Sequence, residues 1–123
     1  MAKFSSFEEI ISWQKSRELN KDIYNITNKN SSFSKDFGLR DQIRRCSISI
    51  SSNIAEGFER ETTKEFIRFL YIAKASSGEF RSQLYLAFDL DYITKDEFST
   101  LNLKVNEVSK LISGLIKYLN STL

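Results

Sequence analysis

The sequence predicts an all-α fold, an antiparallel up-down four-helix bundle forming one domain over residues 1–123. Three observations predict it. The 123 residues include no proline and only four glycines, so few breakers interrupt long helices. Ser6 with Glu9, Thr62 with Glu65 and Thr94 with Glu97 form S/T-x-x-E boxes. Each opens a segment whose apolar residues recur every three or four positions. Two connections, near 59–62 and 90–94, are short, and short connections make consecutive helices antiparallel neighbours.

The first helix is expected from about Phe7 to Asn28, with Phe7, Ile10, Ile11, Trp13, Ile23 and Ile26 as its apolar set. Its polar middle, Gln14 to Glu18, should face water. Residues 28–36 are polar and short-chained and read as a loop. The second helix is contested, because residues 46–51 (CSISIS) alternate with the period of a strand. Leu39, Ile43, Cys46, Ile50 and Ile54 carry a helical stripe through the same stretch. No neighbouring segment could pair with a strand there, and unpaired backbone groups are costly, so helix is the reading. Ser47, Ser51 and Ala55 then form a small-residue face for close helix approach, with Ser76, Ser77 and Gly78 a similar patch on the third helix. Gly57 is expected at the end of the second helix, where a left-handed residue is cheapest as glycine.

The third helix contains Phe66-Ile67-Arg68-Phe69-Leu70-Tyr71-Ile72-Ala73, apolar almost all round. One apolar stripe suffices for a surface helix, so the surplus implies burial between copies of the chain. Phe66, Phe69, Tyr71 and Phe80 are the side chains expected at that oligomer interface. The fourth helix has a heptad seam of Phe98, Leu101, Val105, Val108, Ile112, Leu115 and Leu119. Leu103, Leu111 and Tyr118 form a weaker stripe beside it.

Composition excludes several chemistries. A chain with no histidine and one cysteine, Cys46, lacks both the usual activating base for a thiol nucleophile and an adequate set of zinc ligands. No catalytic residue, metal site or cofactor is expected, and Glu56 and Glu79 are read as structural partners of Arg44, Arg45 or Gln83. A lone cysteine suits a reducing compartment, and no apolar run reaches membrane-spanning length; the N-terminal stretch Met1 to Ser6 also lacks a signal-peptide core. The expected location is the cytoplasm, with no membrane partner.

Residues 52–58 (SNIAEGF), followed by Lys64-Glu65 and residues 66–73, resemble the 23S rRNA intervening-sequence proteins, a bacterial family often encoded within insertions in large-subunit rRNA genes. Phe7-Glu8-Glu9-Ile10, Trp13-Gln14, Gln42-Ile43-Arg44-Arg45, Ser76, Glu79, Gln83-Leu84 and Leu90-Asp91-Tyr92-Ile93 extend the resemblance over nearly the whole chain. It departs at Ser51, where the family commonly has proline, and at Asp91, where it usually has glycine. The resemblance implies a four-helix bundle assembling into a ring-shaped homo-oligomer, a homopentamer. The family is also similar to the accessory protein of diversity-generating retroelements, a basic pentamer that works with a reverse transcriptase and nucleic acid.

Net charge is only +2, but residues 37–55 and 63–88 are mildly basic, while acid gathers at Asp89, Asp91, Asp96 and Glu97. The leading functional expectation is a non-enzymatic ring that binds structured RNA through Arg44, Arg45, Arg60, Lys64 and Arg68, neutralising phosphates with little sequence readout. The alternative is a scaffold that docks a protein such as a polymerase or ribosome-assembly factor. Among aromatic residues, Trp13, Tyr24, Tyr71 and Tyr85 are expected in the core or an interface, and Tyr92 is expected exposed.

Overall fold

A computed structural model describes residues 4–123; Met1 to Lys3, the start of the stretch read for a signal peptide, lie outside the described residues. A 3-10 turn at Phe7–Glu9 leads into α1 (Ile11–Lys29), a five-residue α2 (Ser31–Lys35), α3 (Phe37–Phe58), α4 (Thr63–Asp89) and α5 (Lys95–Ser121). The four long helices form a square in which each touches two neighbours: α1 lies against α3 and α5, and α4 against the same two. Cross-helix pairs run in opposite directions along the chain, as in Arg44 with Asn28 and Ser47 with Asn20, so neighbours are antiparallel. No strand occurs among the described residues, and residues 46–51 are helical.

The apolar stripes meet in the middle of the square. Leu19 and Ile23 of α1, Ile43, Ile50 and Ile54 of α3, Leu70, Phe80 and Leu84 of α4, and Val105, Val108 and Ile112 of α5 are fully buried. Each such side chain contributes about 1.5–3 kcal/mol relative to exposure. Ser16 is buried as well, its hydroxyl donating to the Trp13 carbonyl at 2.8 Å, so the α1 segment expected to face water is interrupted on its inner side.

Only one of the three capping boxes is complete. At Thr94, the side chain accepts from Glu97 N–H at 3.1 Å and Glu97 Oε1 accepts from Thr94 N–H at 2.8 Å. At Thr62 only the first half forms, because the Glu65 carboxylate turns instead to Arg68 Nε at 2.9 Å. Ser6 makes no side-chain cap, and Glu9 reaches back to Ser5 N–H at 3.2 Å. The first helix therefore begins after a 3-10 turn and not at Phe7.

The stretch expected as a loop contains α2. Asn30 Oδ1 accepts from Phe33 N–H at 2.8 Å, which caps this single turn, and Phe33 is completely buried. Its ring stacks on Tyr92 with centroids 5.2 Å apart. Asp36 ties the same corner together: Oδ1 caps α3 at Leu39 N–H, 3.1 Å, and Oδ2 accepts from the Tyr92 hydroxyl at 2.9 Å. That hydrogen bond to a carboxylate raises the Tyr92 pKa above the ordinary phenol value. Tyr92, expected exposed, is held in place.

The small residues act differently from expectation. Ser47 Oγ donates to Asn20 Oδ1 at 2.6 Å and Asn20 Nδ2 donates to Ser51 Oγ at 3.0 Å, so the α3 serines clasp a side chain of α1. Ser49 and Ser76 hydroxyls meet at 2.9 Å between α3 and α4. Gly78 is exposed, and a Cβ there would meet nothing within 4 Å, so it permits no close approach inside the subunit. Gly57 lies inside α3, and no glycine among the described residues has positive φ. Its requirement is space: a Cβ would fall 2.7 Å from Phe69 Cβ and 3.0 Å from Phe66 Cδ1.

The left-handed residue is Asp91, at φ 60°. Asp91 N–H donates to Phe88 O at 3.0 Å and Tyr92 N–H to Ala87 O at 2.9 Å, the two bonds of a Schellman stop for α4. Replacing Gly57 by Ala should lower stability by about 1–3 kcal/mol, because overpacking outweighs alanine's better helix propensity. Asp91→Gly should raise stability by up to about 1 kcal/mol by relieving the left-handed penalty. Urea unfolding of the two variants checks both signs.

Candidate nucleic-acid interface

The five cations singled out in the sequence do not form one surface. Arg44 and Arg45 border an open groove with Tyr24, Asp41 and Ile48 between α1 and α3. Arg44 is committed to structure: Nε donates to Thr27 Oγ1 at 2.8 Å, one terminal nitrogen donates to Asn28 Oδ1 at 2.8 Å, and the guanidinium lies 4.4 Å from the Tyr24 ring centroid. Arg45 is exposed. Fifteen residues on, about 20 Å along the helix axis, the remaining three sit at the α3–α4 corner.

At that corner the guanidinium groups of Arg60 and Arg68 lie 4.7 and 4.8 Å from the Phe69 ring centroid. Arg68 also pairs with Glu65, whose carboxyl pKa it lowers by hydrogen bonding and charge. Glu56, Glu59 and Glu61 belong to the same short stretch of chain, so its carboxylates outnumber Arg60, Lys64 and Arg68. The corner is a cap over Phe69 with no excess of positive charge.

The side chains expected at an oligomer interface are also redistributed. Phe80 is fully buried, and Phe66 and Phe69 are closed off within the subunit; Tyr71 remains 54% exposed. Further exposed apolar surface lies on α4 at Ile72, Tyr85 and Leu86, at Leu90 directly after it, and on α5 at Leu103. Spacings of 14 and 4 put Ile72, Leu86 and the C-cap Leu90 on one flank of α4, with Glu79 midway between Ile72 and Leu86.

A different surface stands out between α4 and α5. Tyr71 and Lys74 of α4 and Ser113, Ile116, Lys117 and Asn120 of α5 line an open groove with two cations and no carboxylate. Each of four other grooves described on the molecule contains at least one acid: Asp22, Asp96 and Glu97 in one, Asp41, Glu9 and Glu18 in the others. Lys74 and Arg81 are seven residues apart on α4, as are Lys110 and Lys117 on α5. Seven residues is about two turns and 10 Å, so each pair lies along one helix face.

None of these four cations makes an ion pair among the described residues. Carboxylates are scarce nearby. Glu79 is the only acid between Phe66 and Phe88, and none occurs after Glu107. By contrast, the α1–α5 seam is matched by Lys15–Glu107, Lys29–Glu97 and Lys104–Asp22. Lys74 and Arg81 belong to the mildly basic middle of the sequence, but nothing in the sequence brings Lys74 into one groove with Lys117.

Chemistry-bearing side chains are few. Cys46 is buried on α3, and burial together with the charge and hydrogen bond of Glu79 pushes its thiol pKa up to about 11. A thiol so protonated at neutral pH is a poor nucleophile. Glu56 and Glu79 are exposed; neither makes an ion pair with Arg44 or Arg45 within the subunit, and Glu79 instead meets Cys46 beside Gln83. No cluster of three metal-ligating side chains occurs among the described residues. No helix among them is long and apolar enough to cross a membrane.

The 23S rRNA-intervening sequence protein model matches residues 8–114. That is most of the chain. The protein belongs to the 23S rRNA-intervening sequence protein family. A crystal structure of a protein of unknown function from the S23 ribosomal protein family of Bacteroides thetaiotaomicron VPI-5482 is similar, with 30% identity and a TM-score of 0.81. The match covers 87% of this chain and 99% of that one. No curated protein matches the sequence. Within the 23S rRNA-intervening sequence family match lie Lys74, Arg81 and Lys110, with Lys117 just beyond it.

Two expected outcomes follow from these placements. Arg44→Ala should lower stability by roughly 1–2 kcal/mol in urea unfolding, since it removes charge-assisted hydrogen bonds to α1. Cys46 in the folded protein should resist iodoacetamide at about pH 8 and be alkylated readily once urea unfolds the chain, as mass spectrometry would record.

Proposed function

We propose that this protein is a non-enzymatic nucleic-acid-binding member of its family that acts as a homo-oligomer, with structured RNA as its ligand. One observation carries the proposal: Lys74 and Lys117 line the α4–α5 groove with no carboxylate among its lining residues, and Arg81 and Lys110 lie two helical turns from them on the same two helices. Unneutralised cations in rows attract a phosphate backbone, and binding releases the counterions condensed on it. The contacts would position RNA with little reading of sequence. Arg45 is an exposed outlying contact, while Arg44, Arg60 and Arg68 serve chiefly to pack the bundle.

Assembly is supported by the exposed flank of Ile72, Leu86 and Leu90, which a second copy would cover. This flank is on the α3 side of α4, away from the cationic face. A closed ring repeats the cationic face once per subunit, and five copies is the count that the family resemblance implies. The same apolar flank supports the scaffold reading if copies leave it open to a protein partner.

Fluorescence anisotropy with a structured RNA, a hairpin carrying single-stranded tails, tests the ligand. Affinity should fall steeply between about 50 and 200 mM salt, and Lys74→Glu with Lys117→Glu should weaken binding more than ten-fold, roughly, while flattening the salt dependence. Absence of binding at the lowest salt, or an unchanged affinity in the double variant, contradicts the proposal. Native mass spectrometry should give a multiple of the 14.3 kDa chain. A monomer at micromolar concentration would remove the oligomer.

A further inference from the structure

The α4–α5 groove has properties beyond positive charge. We infer that it is a binding site for a single-stranded RNA segment, with Tyr71 as the stacking platform and Lys74 and Lys117 as phosphate contacts on opposite walls. This rests on the nucleic-acid reading above and specifies the form of RNA taken at the same site. Tyr71 is 54% exposed at the groove edge, and Ile116, itself 5% exposed, lies among the lining side chains. An aromatic face beside an aliphatic side chain suits a nucleobase, and every base has a π-face to stack.

Width favours one strand over two. Packed helices stand about 8–10 Å apart, so the furrow between α4 and α5 is too narrow to seat a duplex, whose bases are already stacked and paired inside. A single strand can lie along it with phosphates toward the lysines and one base on the tyrosine. The polar lining fits this ligand. The side chains of Ser113 and Asn120 make no hydrogen bond among the described residues, so both are available to base edges and to the 2′-hydroxyl that marks RNA. The site has a boundary. Asp89, Asp91 and Asp96 gather beyond Tyr85, where a phosphate would be repelled, so the strand runs from Lys117 toward Arg81 and stops there.

The test compares three fluorescent probes on the full chain: an oligouridine of about 12 nucleotides, the matching deoxy strand and a blunt RNA duplex. The oligouridine should bind about ten-fold or more tighter than the duplex and about three-fold or more tighter than the deoxy strand. Tyr71→Ala should weaken oligouridine binding by roughly five-fold or more with duplex binding unchanged, and Tyr71→Trp should restore it. Because Tyr71 is exposed, unchanged thermal melting should show that these variants fold. Equal affinity for strand and duplex, equal affinity for the RNA and deoxy strands, or indifference to Tyr71→Ala overturns the inference. Loss of duplex and strand binding together in the lysine double variant, with Tyr71→Ala silent, overturns this inference and leaves the broader reading standing. No binding of any probe by the unaltered protein removes both.

Discussion

The close approach of α3 and α4 at Gly57 is the constraint from which the rest of the arrangement follows. Without a Cβ at that position, the first turns of α4 come down onto α3 so that Phe66 and Phe69 pack against its backbone. Phe58 joins them, meeting Phe66 edge-on with centroids 5.9 Å apart. The connection between the helices is only a few residues long, from Glu59 to Thr62, so this contact also sets the rotation of α4 about its axis. Once Phe66, Leu70, Ala73, Phe80 and Leu84 face inward, Tyr71, Lys74 and Arg81 have to emerge on the side toward α5. A packing contact at one corner thereby orients the face proposed to bind RNA, which begins about 5 Å further along the helix and extends to about 20 Å.

Charge is distributed around this frame so that a net charge of +2 conceals a strong asymmetry. The α1–α5 seam spends three lysines on carboxylates, and the connection into α5 concentrates aspartates. The α4–α5 seam keeps its cations free. Surface ion pairs of the first kind contribute little to stability, about 0–1 kcal/mol each, so their effect is mainly to cancel field locally. The uncancelled field lies where the groove is. A helix corner with more acid than base, such as the one around Arg60, produces no comparable attraction however many arginines it holds.

How much of this was legible in the sequence depended on the range of the interaction involved. Periodicity marked Leu101, Val105, Val108 and Ile112 of α5 and Ile43, Ile50 and Ile54 of α3 as core, because a buried helix stripe leaves its imprint within a few turns. It could not tell one apolar face of α4 from the other. Phe66, Phe69 and Phe80 therefore passed for interface, though the bundle itself absorbs them. Gly57 reads in the sequence as a helix stop, since a glycine kept for a neighbour's approach looks the same as one kept for its torsion angles. Conversely, the family's glycine at the position of Asp91 is accounted for by its left-handed backbone. Phe33 was hidden in a polar loop because a single capped turn has too few residues to show a period. The α4–α5 face was the least legible of all. Its lysines are some forty residues apart in sequence, and only the antiparallel pairing of the two helices brings them together.

The separation of the two exposed surfaces of α4 bears on how a weakly charged subunit could hold RNA at all. Four cations on a face give a modest affinity that physiological salt would erode. Repetition in the proposed assembly would change this, because a strand held at one groove would meet the next at a high effective concentration, and a combined affinity can exceed a single site's by about two to four orders of magnitude. Such gain requires that assembly leave the grooves open. The apolar flank of Ile72, Leu86 and Leu90 points toward α3, whereas Tyr71 and Lys74 line the furrow with α5, so covering one need not cover the other.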